Sequence, residues 1–172
     1  NSGTSIQLTV GTTYSVQALV TGITGVTIKY KITNTMTEIV MPLWTVNLNA
    51  KDQNNDEVFG AEIRFNNIYY PISSKLTLPK NYKAAIYGRN LGVVGPYTYF
   101  TFTDGLTDVN PGFWKATLTA KDQYGADVIG AEIRLNNINY AVGTELTLPK
   151  GYKAAIYARN LAVQGPVQYF IF

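Results

Sequence analysis

The sequence predicts an all-β protein built from a tandem repeat, and three observations support this. Apolar and polar residues alternate in short runs, turn-forming residues separate these runs, and two long segments repeat at a constant offset. Residues 44–102 align with residues 114–172 without a gap, so that Trp44 falls on Trp114 (114 − 44 = 70), and well over half of the aligned positions are identical. Arrays of such similar copies are usually selected for shape, spacing or valency.

The repeat extends upstream of the two obvious copies. Several positions before residue 33 match the second half of the repeat, so we expect residues 1–32 to be a diverged half-repeat that opens in mid-repeat. We call residues 1–32 the half-repeat, residues 33–102 unit 1 and residues 103–172 unit 2. The supporting matches are Gly25 with Gly95 and Gly165, Ile6 with Leu76, Leu8 with Leu78 and, after an assumed two-residue insertion, Tyr14 with Tyr82.

The hydrophobic pattern has the two-residue period of half-buried strands. Within unit 1 the apolar positions of four runs alternate with polar ones, unit 2 repeats each run, and Val, Ile, Thr, Tyr and Phe are the residues that strands prefer. These runs contain Trp44, Val46, Leu48 and Ala50; Ala61, Ile63 and Phe65; Tyr82, Ala84 and Ile86; and Phe100 and Phe102. We predict that four pairs fill equivalent core positions: Trp44/Trp114, Ile63/Ile133, Ile86/Ile156 and Phe100/Phe170.

Turn signals separate the strands. Asn66-Asn67 and Asn136-Asn137 stand where a two-residue hairpin needs positive φ. Polar turns are predicted at residues 52–55 and 122–125, Gly-Pro pairs at 95–96 and 165–166 are expected to open the last strand of each copy, and residues 103–112 and 33–42 are predicted linkers. Several short strands at this spacing predict β-sandwiches.

Composition excludes several kinds of chemistry. The chain has no Cys and no His, which rules out disulfides, thiol nucleophiles, Cys/His zinc sites and histidine general bases. The net charge is only +3 and the basic residues are scattered, so no nucleic-acid footprint is predicted. No apolar stretch reaches the roughly 20 residues that span a bilayer. Because the chain begins at Asn1, we expect that a signal peptide was removed and that the protein is extracellular or at the cell surface.

The run from Val128 to Asn137, followed by the run from Thr144 to Lys153, resembles the PEGA and carboxypeptidase-regulatory-like group. The family's pattern is a Gly-Ala-x-Val/Ile strand, a tight turn, and then Thr-x-Leu-x-Leu-x-x-Gly-x-Tyr; in this chain Tyr152 follows Gly151 directly. Unit 1 departs from it at Asn81, where unit 2 has Gly151. The resemblance implies tandem immunoglobulin-like or transthyretin-like β-sandwiches. It also implies an extracellular spacer, adhesive domain or assembly unit without shared catalytic residues.

Charged residues allow other interpretations. Asp52, Asp56 and Glu57, with Asp122 and Asp127 in unit 2, could bind calcium, but a solvated turn is favoured over a metal site. Glu62 and Arg64, repeated as Glu132 and Arg134, lie on the polar face of a strand, and Arg89 and Arg159 are expected on the same kind of face, which fits cross-strand ion pairing. Lys51, Glu62 and Asn90 could form an isopeptide bond only if all three were buried together, and Glu62 lies on the outward register. We therefore predict no cofactor and no metal.

Tyrosine is abundant, with 13 residues, and four of them recur on outward-facing positions. Such side chains suit a subunit interface or, alternatively, a sugar-binding surface. The sequence predicts a non-enzymatic structural subunit of an extracellular filament or surface assembly, in which chains join head to tail by strand donation. The alternative is an adhesin or carbohydrate-binding accessory module, whose partners would be cell-surface glycans. The candidate assembly residues are Ile6, Leu8, Val10, Tyr87, Tyr99, Tyr157 and Tyr169.

Overall fold

The computed structural model describes residues 5–172 and shows an all-β protein, with 51% of residues in strands and no helix among the described residues. The strands are β1 (Thr13–Val16), β2 (Leu19–Val20), β3 (Ile23–Thr24), β4 (Ile28–Lys31), β5 (Leu43–Leu48), β6 (Glu62–Phe65), β7 (Ile68–Pro71), β8 (Lys75–Pro79), β9 (Lys83–Asn90), β10 (Val93–Thr101), β11 (Asp108–Val109), β12 (Phe113–Thr117), β13 (Glu132–Leu135), β14 (Ile138–Ala141), β15 (Glu145–Pro149), β16 (Lys153–Asn160), β17 (Val163–Gln164) and β18 (Gln168–Ile171).

Unit 1 is sandwich-like, with two sheets facing one core. One sheet has the order β10-β9-β6-β7 and the other β11-β5-β8. The hairpin between β6 and β7 turns at Asn66 and Asn67, which have φ of 47° and 62°, as expected from the sequence. The predicted alternation is confirmed here, because Val46 and Leu48 of one sheet and Ile63 and Phe65 of the other are buried in the same cluster. Each strand therefore contributes every second residue to a shared core.

Unit 2 repeats most of these pairings, without a counterpart of β11 among the described strands, and has a smaller core. Its sheets are β12-β15 and a second sheet in which β13 pairs with β14 and β16, and β16 also pairs with β17 and β18. Its core is formed by Leu118, Ile133, Leu135 and the residues packed around them. Val93 of unit 1 also belongs to this second cluster, so the two units share apolar contacts.

The half-repeat keeps the 70-residue offset in its backbone. Gly11 N–H donates to Ile32 O (2.8 Å) as Asn81 N–H does to Phe102 O (2.6 Å), and β1 pairs with β4 as β9 pairs with β10. The assumed insertion is therefore wrong: Thr12 takes the place of Tyr82, and Tyr14 takes the place of Ala84. The sequence suggested the shift because it matched two tyrosines, whereas the hydrogen-bond register continues without interruption.

Two of the four predicted core pairs differ from expectation. Ile63 and Ile133 are buried, Ile86 is buried and Ile156 half-buried. By contrast, Trp114 is 42% exposed and Phe170 48% exposed, while their unit 1 counterparts Trp44 and Phe100 are half-buried. In unit 1 the fully buried aromatic is Phe102, which directly follows β10 and has 0% exposure. Parity along the strand correctly predicts the face, but not how deeply each position lies beneath the opposite sheet.

Two predicted connections also have different roles. The Gly95-Pro96 pair does not open a strand: β10 starts at Val93 and has a register shift between Val94 and Tyr97. In unit 2 the same pair separates β17 from β18. The linker 103–112 is not simply a spacer, because it contains β11, which pairs in parallel with β5. The described residues include no helix long and apolar enough to cross a membrane.

Candidate assembly surfaces

The tip of the β9–β10 hairpin of unit 1 docks on the strand pair β12–β15 of unit 2. A Cβ added to Gly95 would overlap Pro149, and one added to Gly88 would lie 2.8 Å from Cζ of Phe113. The side-chain amide of Asn90 donates to the carbonyl of Thr147 (2.8 Å), and Val93 is only 8% exposed. Two glycines thus permit a contact so close that no other residue fits without displacement.

The half-repeat docks on unit 1 through the corresponding hairpin. A Cβ added to Gly25 would lie 2.7 Å from Cβ of Pro79, the residue that corresponds to Pro149. Ala18, at the position of Gly88, is buried with 8% exposure. The hairpin β2–β3 therefore covers β8 as the hairpin β9–β10 covers β15, and one docking geometry occurs twice in the chain.

The linker of unit 2 completes the other edge of unit 1. The indole N–H of Trp44 donates to Leu106 O (2.6 Å), and the side-chain amide of Asn49 donates to the Asp108 carboxylate (2.8 Å). The hydroxyl of Thr107 and the amide of Asn47 also donate to Asp108, and these bonds hold the pKa of that carboxyl below its usual value. β11 is thereby fixed by main-chain and side-chain bonds at once.

Phe113 belongs to unit 2 by sequence but to unit 1 by packing. Its side chain is 1% exposed and lies in the core cluster of unit 1, and its N–H donates to Lys51 O (3.1 Å). Two residues further, Lys115 exchanges two hydrogen bonds between its backbone and the side chain of Gln53 (2.8 and 2.9 Å). The first strand of unit 2 therefore closes one end of unit 1.

Asp52 lies beneath this closure. The prediction of a solvated turn is wrong for unit 1, because Asp52 is only 8% exposed. It holds for unit 2, where the counterpart Asp122 is exposed. Burial raises the pKa of Asp52, but N–H donors of Asp56 and Asn54 and the Lys115 ammonium (3.5 Å) outweigh it and keep the pKa below its usual value. The carboxylate is thus a buried, satisfied anion that ties the turn to unit 2.

The surfaces of unit 2 that correspond to these covered ones are exposed. Val163 is 71% exposed against 8% for Val93, and Leu161 is 91% exposed against 48% for Leu91. A shallow cleft of about 500 Å³ lies between Ile129, Glu132 and the tip of the β16–β17 hairpin. Gly165 has no side-chain neighbour within 4 Å; the nearest atom to a Cβ there would be Ala158 O at 3.4 Å. This hairpin tip carries the same Asn, Leu, Val, Gly and Pro as the docked tip of unit 1.

The predicted donor segment Ser5 to Val10 lies at the surface. Ile6 is 69% and Val10 59% exposed, and Leu8 is half-buried. Residues 5–9 form no strand in the described chain, although the offset places them where unit 1 has β8. The exposed backbone hydrogen bond of this segment goes from Thr9 N–H to the Tyr14 hydroxyl (3.1 Å), which lowers the pKa of Tyr14.

The outward tyrosines form a cluster in unit 1 but not in unit 2. Tyr97 contacts Tyr87 and Tyr99 edge to face, with ring centroids 5.8 and 5.0 Å apart. Tyr97 also raises the pKa of Tyr99 through a hydrogen bond and through charge. Arg64 lies 5.6 Å from the ring centres of both Tyr69 and Tyr87. In unit 2 Tyr157 is half-buried and Tyr169 is 65% exposed, but Asn139 and Val167 replace the other two tyrosines.

Calcium binding and isopeptide formation, the alternatives considered for the charged residues, have no assembled site among residues 5–172. No group of three or more acidic residues there could hold a metal ion. Lys51, Glu62 and Asn90 are not brought together: Glu62 pairs with Arg89, and Asn90 bonds to unit 2. Glu132 and Arg159 repeat the cross-strand pair at 3.6 Å, as predicted for this strand face.

Sequence reasoning missed the residues that join the units, namely Phe113, Asp108 and the pair Gly25 and Gly88. The sequence contained one signal of the junctions. The smaller Gly88 stands opposite the larger Phe113, whereas at the corresponding positions the larger Ala18 goes with the smaller Leu43. Comparison with models of known protein families, with curated proteins and with solved structures finds no match to this chain.

Proposed function

We propose that this chain is a structural, non-enzymatic subunit of an extracellular filament or surface assembly, with tandem immunoglobulin-like sandwiches joined head to tail. The observation that carries the proposal is the junction geometry, in which one hairpin docking recurs at both internal junctions. A repeated junction of fixed geometry suits a protein whose task is to set distance and orientation. The carboxylates common to both units serve turns and ion pairs, which favours structure over catalysis.

Strand addition is the proposed means of polymerisation. β5 uses one edge for β8 and the other for β11, whereas its counterpart β12 pairs with β15 alone among the described strands. Unit 1 engages this edge of β12 at Phe113 and Lys115. The continuation of the edge at Thr117 corresponds to Asn47 of β5, which pairs with β11, and such a strand edge accepts an extended segment. Ser5 to Val10 of a neighbouring chain has the alternation of such a segment, with the exposed Ile6 and Val10 on one side.

The test compares two substitutions in the donor segment. Ile6→Asp should prevent assembly, because a carboxylate would replace an apolar side chain facing the neighbour's core, whereas Gln7→Asp lies on the opposite side and should have little effect. Deletion of residues 1–12 should likewise yield short soluble species in place of polymer. Light scattering and electron microscopy measure the outcome. If both the deletion and Ile6→Asp assemble as the parent does, strand donation by this segment is wrong.

The tyrosine cluster of unit 1 supports a second candidate, an adhesin or carbohydrate-binding function. Tyr69, Tyr97 and Tyr99 are each 42–52% exposed beside Lys83 and Arg64, an arrangement that offers apolar ring surface together with donors. Unit 2 provides the matched control. Changing Tyr69→Asn and Tyr97→Val converts the face to that of unit 2 and should abolish retention on a glycan array. Retention that survives both changes would exclude this face.

A further inference from the structure

The half-repeat, unit 1 and unit 2 each contain one hairpin at a corresponding position: β2–β3, β9–β10 and β16–β17. Two of them are covered by the Leu-Thr-Leu-Pro-Lys strand of the following unit, through Pro79 and Pro149. The third, β16–β17, is covered by nothing in the described chain, and its Val163 is 71% exposed where Val93 is 8% exposed. The same hairpin surface is covered at two junctions and exposed at the third. The partner that fits the exposed copy is therefore a strand pair of this repeat.

We propose that the β16–β17 hairpin docks on the Pro79 surface of a second copy of this chain, in place of that copy's own β2–β3 hairpin. The inference rests on the proposed head-to-tail assembly and specifies its contact. Asn160 and Gly165 retain the residues that make the junction between unit 1 and unit 2. Pro166 is retained too, but a Cβ on Gly151 would lie 2.9 Å from Pro96, and unit 1 has Asn81 at that position, so this contact must shift on docking. Asn160 would donate to the carbonyl of Thr77, as Asn90 does to Thr147.

At the position of Gly88, the size of the opposing residue favours unit 1 of the second copy over its unit 2. Gly88 opposes Phe113, whose ring leaves no room for a methyl group, since a Cβ at Gly88 would lie 2.8 Å from Cζ. Unit 2 has Ala158 at this hairpin position, as the half-repeat has Ala18. The half-repeat, with Ala18, docks on unit 1, which has Leu43 at the position of Phe113. Ala158 is therefore compatible with a unit that has Leu43 and conflicts with one that has Phe113.

The two hairpins that compete for Pro79 are not equal. At the position of Asn90 and Asn160 the half-repeat has Val20, which cannot donate a side-chain hydrogen bond to Thr77 O. The incoming hairpin thus gains one hydrogen bond that the resident hairpin lacks. The resident hairpin, however, is held at high effective concentration by the covalent chain. Assembly is therefore expected to depend on protein concentration.

Two single substitutions in the full-length chain should act in opposite directions. Gly165→Val fits the free chain, since a Cβ there meets only Ala158 O at 3.4 Å, but it would overlap Pro79 of a second copy. It should raise the concentration needed for assembly by at least about tenfold, equivalent to about 1.4 kcal/mol. Gly25→Val blocks the resident hairpin instead, because its Cβ would lie 2.7 Å from Pro79, and should lower that concentration.

Sedimentation velocity over a range of concentrations measures both effects, with near-UV circular dichroism to show that each variant is folded. Ile171→Asp is the matched control, since Ile171 is 75% exposed on β18 away from the hairpin tip. The double variant Gly25→Val/Gly165→Val should lose the gain of Gly25→Val; if the gain persists, it is non-specific association and the docking is overturned.

The outcomes separate this inference from the proposed function. A parent chain that stays monomeric, together with a Gly25→Val variant that assembles through Gly165, would overturn the proposed assembly but support the docking. A parent that assembles equally well with Gly165→Val would support assembly and overturn the docking. If Gly25→Val remains monomeric at every concentration, the docking is likewise overturned.

Discussion

Unit 1 and unit 2 contain the same aspartate turn, at Asp52 and Asp122, but in different surroundings. Both carboxylates accept the same two backbone N–H bonds, from residues two and four positions further along the chain, at 2.9 and 3.0 Å. Only Asp52 is buried, because Lys115 and the strand β12 cover it. The difference shows that the local turn is encoded within each unit, whereas burial is supplied by the neighbour.

The cores differ for the same reason. The larger cluster of unit 1 includes Val109 and Phe113, which come from residues 103–113. Without a corresponding contribution, unit 2 leaves Trp114 42% and Phe170 48% exposed. Each unit is thus too small to bury all of its apolar surface, and the array supplies the remainder at each junction. Three pairs of substitutions, one residue in each unit or at each junction, test whether the neighbouring unit causes these differences.

The largest effect is expected for Phe113→Ala. Removal of this fully buried ring should lower the free energy of unfolding by about 3–5 kcal/mol, and the loss should be confined to unit 1, whose core the ring fills. The control is Leu43→Ala at the corresponding position, where the side chain is 43% exposed and the loss should be small. Urea denaturation followed by tryptophan fluorescence measures both. Equal losses for the two variants would mean that the junction does not contribute to the core.

A smaller effect is expected for Gly88→Ala. The added methyl group would press on the Phe113 ring, and such overpacking costs about 1–3 kcal/mol. The reverse change in unit 2, Ala158→Gly, meets no such neighbour because Ala158 is exposed, and it should cost less than about 1 kcal/mol from backbone freedom alone. Thermal unfolding of both variants checks the asymmetry. A neutral Gly88→Ala would contradict the close approach of the two units.

The smallest difference is expected for Asp52→Asn against Asp122→Asn. Because the folded pKa of Asp52 is lowered, its charged form stabilises the fold above the unfolded pKa of about 3.9, and this stabilisation is lost as the pH falls through the folded pKa. Asp52→Asn should therefore reduce stability near pH 7 and flatten its decline in acid. Asp122→Asn, without the Lys115 contact, should change the pH profile less. Denaturation midpoints between pH 2 and 7 measure this, and coincident profiles for the two variants would contradict it.

Much of the local structure could be predicted from the sequence. The alternation of Val46 and Leu48 and of Ile63 and Phe65 determines which faces are apolar, because successive strand side chains point to opposite sides. The Asn66-Asn67 turn follows from the tolerance of asparagine for positive φ. The 70-residue repeat predicts equal pairing in both units, and the strand registers of the two units agree with it.

How deeply each apolar face is buried, and which residues join the units, depends on the way distant segments pack and could not be predicted from the sequence. Trp44 and Trp114 have the same strand parity, but the carbonyl of Leu106 and the segment around it cover Trp44 alone. Phe113 packs in the preceding unit. The exposed β16–β17 hairpin has key residues in common with β9–β10 but no covering strand among residues 5–172. The physical reason is that a two-residue period depends on the geometry of one strand, while burial depends on segments distant in sequence that come to lie against it.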